Sequence, residues 1–342
     1  MLSRSAKRTP TTTASPSSGP TPQTELPSNS AVSGSKETEA IRLHRKRSQH
    51  DSENSADSAT LHFQVDSTTN FPVAAGLASS AAGFGALGDA IGIAMKLNKE
   101  DVIRMARLGS GSACRSILSG LVQWKKGKES SGIDSTAVAV SQKRWSSLRC
   151  IIFVFDDGTK ELSSTIGMKR SADTSELLKH RVEHIVDKRI ENISKAYENN
   201  DFKEFAKLIM KDSNQFHAIC MDSSPPFRYL NDASWKLISI VDKFNSECLR
   251  AAYTFDAGPN ACVIIEVDSV CEFMSHISTE IAIKKEDYES VLNTFEPELI
   301  GTYPNQSNDG MKYKSTKVYF SEMGNGPSEI TEIGSPFEVS SS

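Results

Sequence analysis

The sequence predicts an α+β fold, and three observations support this class. Several short segments carry apolar residues at every second position, which is the spacing of a strand with one buried face. Longer segments carry them every three or four positions, which is the spacing of an amphipathic helix. A chain of 342 residues is long enough to bury one large core or two moderate cores. We expect two domains.

The predicted elements of the first half follow in order from residue 61. Residues 61–65 alternate apolar and polar side chains and form a strand, which leads through a loop at 70–83 into a helix. Asn98 stands three residues before Asp101 and caps the next helix, which ends at Gly109. The next three strands are predicted at 120–124, 137–140 and 150–155. The last of these is apolar on both faces, so we expect it at the centre of a sheet.

The second half is predicted to be richer in helix. An apolar stripe runs along residues 174–196, and a second one follows Asp201, which is placed as an N-cap. The remaining predicted elements are a helix near 234–244, strands at 251–255 and 262–267 around a turn at 256–260, and a helix at 270–277.

Residues 1–58 are predicted to form a mostly disordered tail. They are rich in Ser, Thr, Pro and charged residues, and the first aromatic residue is Phe63, so the segment buries too little apolar surface to offset the entropy of ordering. The basic cluster at 42–47 is followed by three acidic residues, which favours a solvated tail over a nucleic-acid contact. The net charge of −4 gives no sign of a polyanionic partner either.

Cysteine usage and hydropathy indicate the setting of the protein. None of the six cysteines has a close-spaced partner, which argues against a zinc site or a small disulfide scaffold and favours a reducing, intracellular setting. The sequence has no apolar run long enough to cross a bilayer and no signal-peptide core after Met1. We therefore expect no membrane partner and no protein ligands for a metal.

The loop at 70–83 is the strongest candidate for chemistry. Ser79 and Ser80 fall at the start of the predicted helix, where backbone amides lack partners and the helix dipole is positive. Gly76 and Gly83 allow a close approach, and no acidic residue occurs at 76–88. The loop fits a phosphate site, although its spacing matches neither the P-loop nor the dinucleotide fingerprint. A small-residue helix start that serves only packing is the alternative.

Two further loops carry charged side chains. In residues 109–116, Arg115 offers a planar fork for phosphate or carboxylate beside the hydroxyls of Ser110 and Ser112. In residues 253–260, Asp256 ends an apolar strand, where it could act as a general base. The alternatives are serines that satisfy a turn, a surface arginine, and an aspartate that makes an Asx-turn.

Weaker candidates lie elsewhere in the second half. Residues 163–165 supply hydroxyls for a phosphate or cap the helix that follows. His217 is interpreted as a helix-face residue satisfied in packing rather than as a base.

Six strings in order along the chain, read together, add a resemblance. They are residues 70–83, 109–116, 163–168, 174–177, 212–218 and 253–261. Together they closely resemble the mevalonate diphosphate decarboxylases, which belong to the superfamily of galactokinase, homoserine kinase, mevalonate kinase and phosphomevalonate kinase. The likeness covers residues 60–270. Family members begin with a strand carrying Asn-Ile-Ala and then Lys-Tyr-Trp-Gly-Lys, and residues 1–58 contain nothing like it.

This resemblance implies a two-domain, small-molecule-kinase-like α+β fold with the active site in the cleft between the domains. The implied division is a tail at 1–58, an incomplete nucleotide-binding domain at 59–148, a C-terminal α+β domain at 149–330 and a flexible tail at 331–342. It further implies a cytoplasmic homodimer that uses ATP and Mg²⁺ to convert mevalonate 5-diphosphate into isopentenyl diphosphate, for isoprenoid and sterol synthesis. The missing lysine-bearing strand favours an alternative, a catalytically inactive homologue that keeps the fold and binds a ligand or partner.

The resemblance also implies residue roles. Asp256 is the expected base near the tertiary hydroxyl, Arg115 binds the substrate carboxylate, and Ser80 holds the ATP phosphates. The implied ATP contacts are Gly76, Leu77, Ala78, Ser79, Ser80 and Ala81. The implied substrate contacts are Ser110, Ser112, Arg115, Ser164, Asp256 and Ala257.

Overall fold

The computed structural model describes residues 29–33, 38–46, 62–69, 78–141, 143–155, 162–293, 311–322, 324 and 326–329. The strands are β1 (Asn29–Ser33), β2 (Thr38–Lys46), β3 (His62–Thr69), β4 (Leu121–Lys125), β5 (Thr136–Ser141), β6 (Leu148–Val154), β7 (Ala251–Phe255), β8 (Ala261–Glu266), β9 (Lys317–Glu322) and β10 (Pro327–Glu329). The α-helices are α1 (Ser79–Met95), α2 (Lys99–Gly109), α3 (Ala113–Ser116), α4 (Ser164–Thr174), α5 (Glu176–His180), α6 (Val186–Glu198), α7 (Phe202–Asp222), α8 (Asp232–Phe244), α9 (Val270–Ser278) and α10 (Lys285–Leu292).

The N-terminal sheet contains two strands that the sequence did not predict. Its order is β10-β1-β2-β3, and its pairings are antiparallel. The prediction of a disordered tail is therefore wrong for β1 and β2, while the rest of 1–58 and the predicted tail at 331–342 lie outside the described residues. The prediction considered only the amino-acid composition of the segment. In the structure, β2 pairs with β3 through backbone hydrogen bonds along most of its length, and composition does not show this pairing. Because β10 pairs with β1, residues 327–329 belong to this N-terminal sheet, although the predicted domain division assigned them to the C-terminal domain.

Helices α1, α2 and α3 pack together, and glycines in α1 allow the close approach. A Cβ atom at Gly92 would lie 2.3 Å from Val102 Cγ2, and one at Gly88 would lie 3.1 Å from Ala106 Cβ. The predicted caps and end of α2 are confirmed, because the Asn98 side chain accepts from the Asp101 N–H and the helix ends at Gly109.

Strands β4 and β5 form a two-stranded sheet, and the other four-stranded sheet separates two helical layers. Its order is β7-β8-β6-β9, so the prediction that residues 150–155 form a central strand is confirmed. Residues such as Val263 and Ile265 on one face pack with α8 and α9 in the largest core cluster. On the other face, Ala252 and Ile264 pack with α6 and α7. The predicted α+β class is confirmed.

The helix predicted over 174–196 is interrupted. Helix α4 ends at Thr174, and a π-helical turn at Arg181–Ile185 separates α5 from α6. The buried Arg181 side chain lies 2.7 Å from the Asp212 carboxylate of α7, and buried Arg189 lies 2.8 Å from the same oxygen. An ideal helical period contains no information about such a turn. In the parts of the chain with assigned positions, no helix has the length and hydropathy to cross a membrane.

Candidate active site

The N-terminus of α1 has the features of an anion site. Ala78, just before the helix, has φ 55° and ψ 30°, a left-handed conformation that costs a non-glycine residue about 1–2 kcal/mol. Its carbonyl accepts hydrogen bonds from the Ala81 and Ala82 N–H groups at 2.9 and 3.2 Å. The first turn carries no acidic side chain, and no side chain caps it within the described residues. The positive end of the helix dipole is therefore not neutralised by the helix itself.

The loop after α2 meets this helix end. The Ser80 and Ser110 hydroxyl oxygens lie 3.2 Å apart. The Ser110 and Ser112 carbonyls accept from the Ala113 and Arg115 N–H groups at 2.9 and 3.1 Å, which makes the turns that lead into α3. The backbone of these serines therefore satisfies the turn, while the Ser110 hydroxyl faces Ser80.

A glycine in the same loop permits the close packing of a ring. A Cβ atom at Gly111 would lie 2.7 Å from Cη2 of Trp124 on β4. The Cys114 thiol donates to the Gly111 carbonyl at 3.0 Å, and burial raises the pKa of that thiol. The loop is thus held by backbone and core contacts rather than by the side chain of Arg115.

Arg115 is a half-buried cation with an unsatisfied, buried donor atom. Its Nη1 atom is buried and has no hydrogen-bond partner among the described residues. Burial lowers the pKa of the guanidinium, and the charges of Cys114 and Asp256 oppose that effect. Arg115 thus interacts electrostatically with Asp256 of the C-terminal half, and its free nitrogen can bind an anionic ligand.

The turn that carries Asp256 is fixed from three sides. The Phe155 N–H at the end of β6 donates to the Asn260 side chain at 2.7 Å, the Ser234 hydroxyl of α8 donates to the Pro259 carbonyl at 2.7 Å, and the Phe255 N–H donates to the Ser213 hydroxyl of α7 at 3.0 Å.

The Asp256 side chain itself remains available. Residue 256 is half-buried, and its carboxylate accepts no hydrogen bond from the described residues. The backbone amide of Gly258 donates to the Asp256 main-chain carbonyl at 2.8 Å, so the turn is closed by the backbone and not by the side-chain Asx-turn of the alternative interpretation. Ala257 is buried in a small apolar cluster with Cys220 and Tyr229.

The start of α4 brings Ser164 to the same region. Ser163 caps this helix, because its hydroxyl accepts from the Ile166 N–H at 3.3 Å, and Ser164 is the first helical residue. The Tyr229 hydroxyl donates to the Ser163 carbonyl at 3.4 Å and also interacts electrostatically with Asp256. The capping interpretation of residues 163–165 therefore applies to Ser163. The interpretation of Ser164 as a substrate contact stays a prediction.

His217 lies in α7, as predicted, but it is not satisfied by hydrogen bonds. Its ring packs edge-on against Phe255 at 6.1 Å and Phe216 at 4.9 Å. Both ring nitrogens are buried and lack a hydrogen-bond partner in the described structure. Burial lowers the pKa of His217 to about 4, and the nearby Phe255 backbone offsets this only in part. No pattern in the sequence indicates these unpaired nitrogens.

The structure thus brings Ser80 against Ser110 and Arg115 within electrostatic range of Asp256, whereas Ser164 is related to Asp256 only through Tyr229 and the Ser163 carbonyl. Gly76 and Leu77, the first two predicted ATP contacts, lie outside the described residues. The roles assigned to all of these residues stay predictions.

The fold and this geometry define an α+β protein in which Arg115 of the N-terminal half interacts electrostatically with Asp256 of the C-terminal half. Residues 2–138 match the family profile "Diphosphomevalonate decarboxylase-like N-terminal domain", and residues 150–330 match "Mevalonate 5-diphosphate decarboxylase C-terminal domain". The chain therefore belongs to the mevalonate 5-diphosphate decarboxylase family.

Individual relatives agree with this membership. The chain is 48% identical to the diphosphomevalonate decarboxylase of Candida albicans over 206 residues, which are 59% of this chain and 57% of that protein. It thus spans less than two thirds of that relative's length. A crystal structure of mevalonate 5-diphosphate decarboxylase is similar with a TM-score of 0.73 and 31% identity, over 90% of this chain and 96% of that one. A second structure, described as a complex of MDDEF with MVAPP, AMPPCP and magnesium, has a TM-score of 0.67 and 24% identity over 89% and 91% of the chains.

Proposed function

We propose that this chain catalyses the ATP-dependent decarboxylation of mevalonate 5-diphosphate to isopentenyl diphosphate, with release of ADP, phosphate and CO2. Family membership supports the proposal. The observation that carries it is the pair formed by Arg115, which has an unpaired buried nitrogen, and Asp256, which has an available carboxylate. Such a pair suits a substrate that bears both a carboxylate and a hydroxyl.

In this proposal Asp256 is the general base. Its carboxylate accepts the proton of the tertiary hydroxyl as that oxygen attacks the γ-phosphoryl group of ATP. The Ser80 hydroxyl and the amides at the start of α1 stabilise the negative charge of the transferring phosphate. Phosphoryl transfer depends mainly on positioning and charge stabilisation, and the contact between Ser80 and Ser110 contributes to the positioning.

Arg115 acts on the other end of the reacting group. Its guanidinium, whose Nη1 atom is buried, binds the substrate carboxylate and orients it, so that the bond to CO2 breaks as the new phosphate leaves. Ser110, Ser112 and Ser164 donate to the substrate, whose diphosphate is the main anionic partner. Because Arg115 is desolvated, its charge acts in a medium of low polarity, where electrostatic interactions are strong.

Mg²⁺ belongs to the proposal as an ion carried by the nucleotide. Among the described residues, no group of three His, Cys, Asp or Glu side chains is placed to hold a metal. Mg²⁺ is commonly bound by substrate phosphates with one or two carboxylates, so these residues fit such an arrangement. When bound, the ion neutralises charge on the phosphates. The proposal also includes a homodimer in the cytoplasm and a role in isoprenoid and sterol synthesis, as the family resemblance implies.

The test is the release of ADP and CO2 by the purified chain with mevalonate 5-diphosphate, ATP and Mg²⁺. Asp256→Asn should abolish turnover and retain ATP binding, because removal of a base acts on the transition state rather than on ground-state affinity. Asp268→Asn, at an exposed position, is the matched control. Normal turnover in Asp256→Asn would disprove the assignment of the base. If folded wild-type protein releases neither product, the chain is instead a non-catalytic homologue.

A further inference from the structure

Tyr229 lies in the segment between α7 and α8 and is buried, with 8% of its surface exposed. Its ring stacks parallel to Phe216 at 6.4 Å and meets Phe227 edge-on at 5.4 Å. These contacts hold the ring in place, and the packing of the ring therefore determines the direction of the hydroxyl. The hydroxyl points to the first turn of α4, where it donates to the Ser163 carbonyl at 3.4 Å.

The first turn of α4 has a glycine that makes room for this hydroxyl. A Cβ atom at Gly167 would lie 2.4 Å from the Tyr229 phenol oxygen and 3.1 Å from Phe227 Cε2. The Gly167 N–H donates to the Ser163 carbonyl at 2.9 Å, so this carbonyl accepts from both the helix and Tyr229. The first turn of α4, which begins at Ser164, therefore packs directly against the Tyr229 hydroxyl.

Tyr229 also touches the turn that carries the proposed base. It shares a buried cluster with Ala257, and the charge of Asp256 raises the pKa of its hydroxyl. Burial raises the pKa of Tyr229 to about 12, Cys220 and Asp256 add to the rise, and Arg170 opposes it. The phenol is consequently a neutral donor across the physiological range.

We propose that Tyr229 is a positioning residue, which holds the start of α4 and Ser164 at a fixed distance from Asp256. This inference rests on the proposed function, in which Ser164 binds the substrate and Asp256 accepts its proton. Tyr229 acts through the Ser163 carbonyl and through Ala257, and it is assigned no contact with the reacting atoms. ATP is assigned to the start of α1, which belongs to a different cluster of contacts.

The test is Tyr229→Phe, which keeps the ring and removes the hydroxyl. We expect kcat/KM for mevalonate 5-diphosphate to fall roughly three- to tenfold, the equivalent of one neutral hydrogen bond, while the KM for ATP stays within about twofold. Tyr197→Phe is the matched control, since the Tyr197 hydroxyl also donates to a backbone carbonyl, that of Lys143 at 3.0 Å, in a separate cluster. It should lower the melting temperature and leave both kinetic constants unchanged.

Gly167→Ala adds a second, independent measurement. The new methyl group meets the phenol oxygen, so the single variant should lose activity toward mevalonate 5-diphosphate. In the Tyr229→Phe background the oxygen is absent, and the additional loss caused by Gly167→Ala should be smaller. Such coupling in a double-mutant cycle is expected of residues in contact.

The outcomes separate this inference from the proposed function. Wild-type constants in Tyr229→Phe, or equal increases in the KM values for both substrates, would overturn the positioning role. If the wild-type chain shows no turnover, the proposed reaction fails. Calorimetric binding of mevalonate 5-diphosphate then decides the inference: weaker binding to Tyr229→Phe supports it, whereas equal binding, or none to either protein, overturns it.

Discussion

The hydroxyl oxygens of Ser80 and Ser110 lie 3.2 Å apart, although 30 positions separate them in the sequence. Ser80 is at the start of α1, and Ser110 follows the last residue of α2. By family resemblance, the first is expected to hold ATP and the second to bind the phosphate acceptor. Phosphoryl transfer requires donor and acceptor to be adjacent, and under these expected roles the contact places the two binding residues side by side.

The two serines should therefore affect different substrates. Ser80→Ala should raise the KM for ATP about tenfold, because it removes one hydrogen bond to a charged group. Ser110→Ala should raise the KM for mevalonate 5-diphosphate instead. Steady-state kinetics with each substrate varied in turn measures both effects.

Ser130→Ala is the control for these variants, since residue 130 is exposed in the loop between β4 and β5. It should leave both KM values unchanged. An increase in the KM for ATP caused by Ser110→Ala alone would reverse the two assignments.

Arg115→Gln should impair function without lowering stability. In the free protein the Nη1 atom of Arg115 has no described hydrogen-bond partner, so its removal deletes no bond there and relieves the burial of a charge. Loss of a charged hydrogen bond to the substrate carboxylate should weaken productive binding by roughly 1.5–3 kcal/mol. Kinetics gives the functional effect, and urea unfolding of the unliganded protein gives the stability.

Arg144→Gln serves as the comparison, because Arg144 is half-exposed and pairs with Glu322 at the surface. Its activity should match that of the wild type, since exposed ion pairs contribute little. Wild-type kinetics in Arg115→Gln would place Arg115 outside the site.

Local signals were sufficient for many element boundaries. Asn98 and Asp201 cap α2 and α7 as predicted, because an N-cap depends on a side chain and an amide only three residues apart. The apolar run at 150–155 likewise predicted the central position of β6. These features depend on neighbours in sequence.

Other features depend on partners far away in the chain. The π-helical turn before α6 directs Arg181 toward Asp212, and no periodicity predicts that contact. The proximity of Arg115 and Asp256 is likewise a tertiary relationship, which the sequence indicated only through family resemblance. Helix α10 and strands β9 and β10 were not predicted, because a short apolar pattern does not distinguish a helix from a strand.

The glycines of α1 show that packing and anion binding are both compatible with a small-residue helix. A methyl group at Gly92 would lie 2.3 Å from Val102 Cγ2. Gly92→Ala should therefore reduce the free energy of unfolding by about 1–2 kcal/mol, because overpacking outweighs the gain in helix propensity. In a double-mutant cycle with Val102→Ala, the two effects should be less than additive. A more stable Gly92→Ala variant would show that α1 and α2 are not closely packed.

His217 should make stability depend on pH in mildly acidic solution. Its pKa is about 4 in the folded protein, below the ordinary value of 6.5, so the unfolded chain binds a proton more readily. The stability contributed by the neutral ring is fully present above pH 6.5 and is lost as the pH falls toward 4. At pH 5 the loss amounts to about 2 kcal/mol relative to neutral pH.

Urea unfolding at pH 7 and pH 5 should show this decrease in the wild type and in His184→Gln, which alters an exposed histidine. The decrease should be smaller by that amount in His217→Phe, which keeps an aromatic ring between Phe216 and Phe255. An unchanged decrease in His217→Phe would mean that His217 keeps its ordinary pKa in the folded protein.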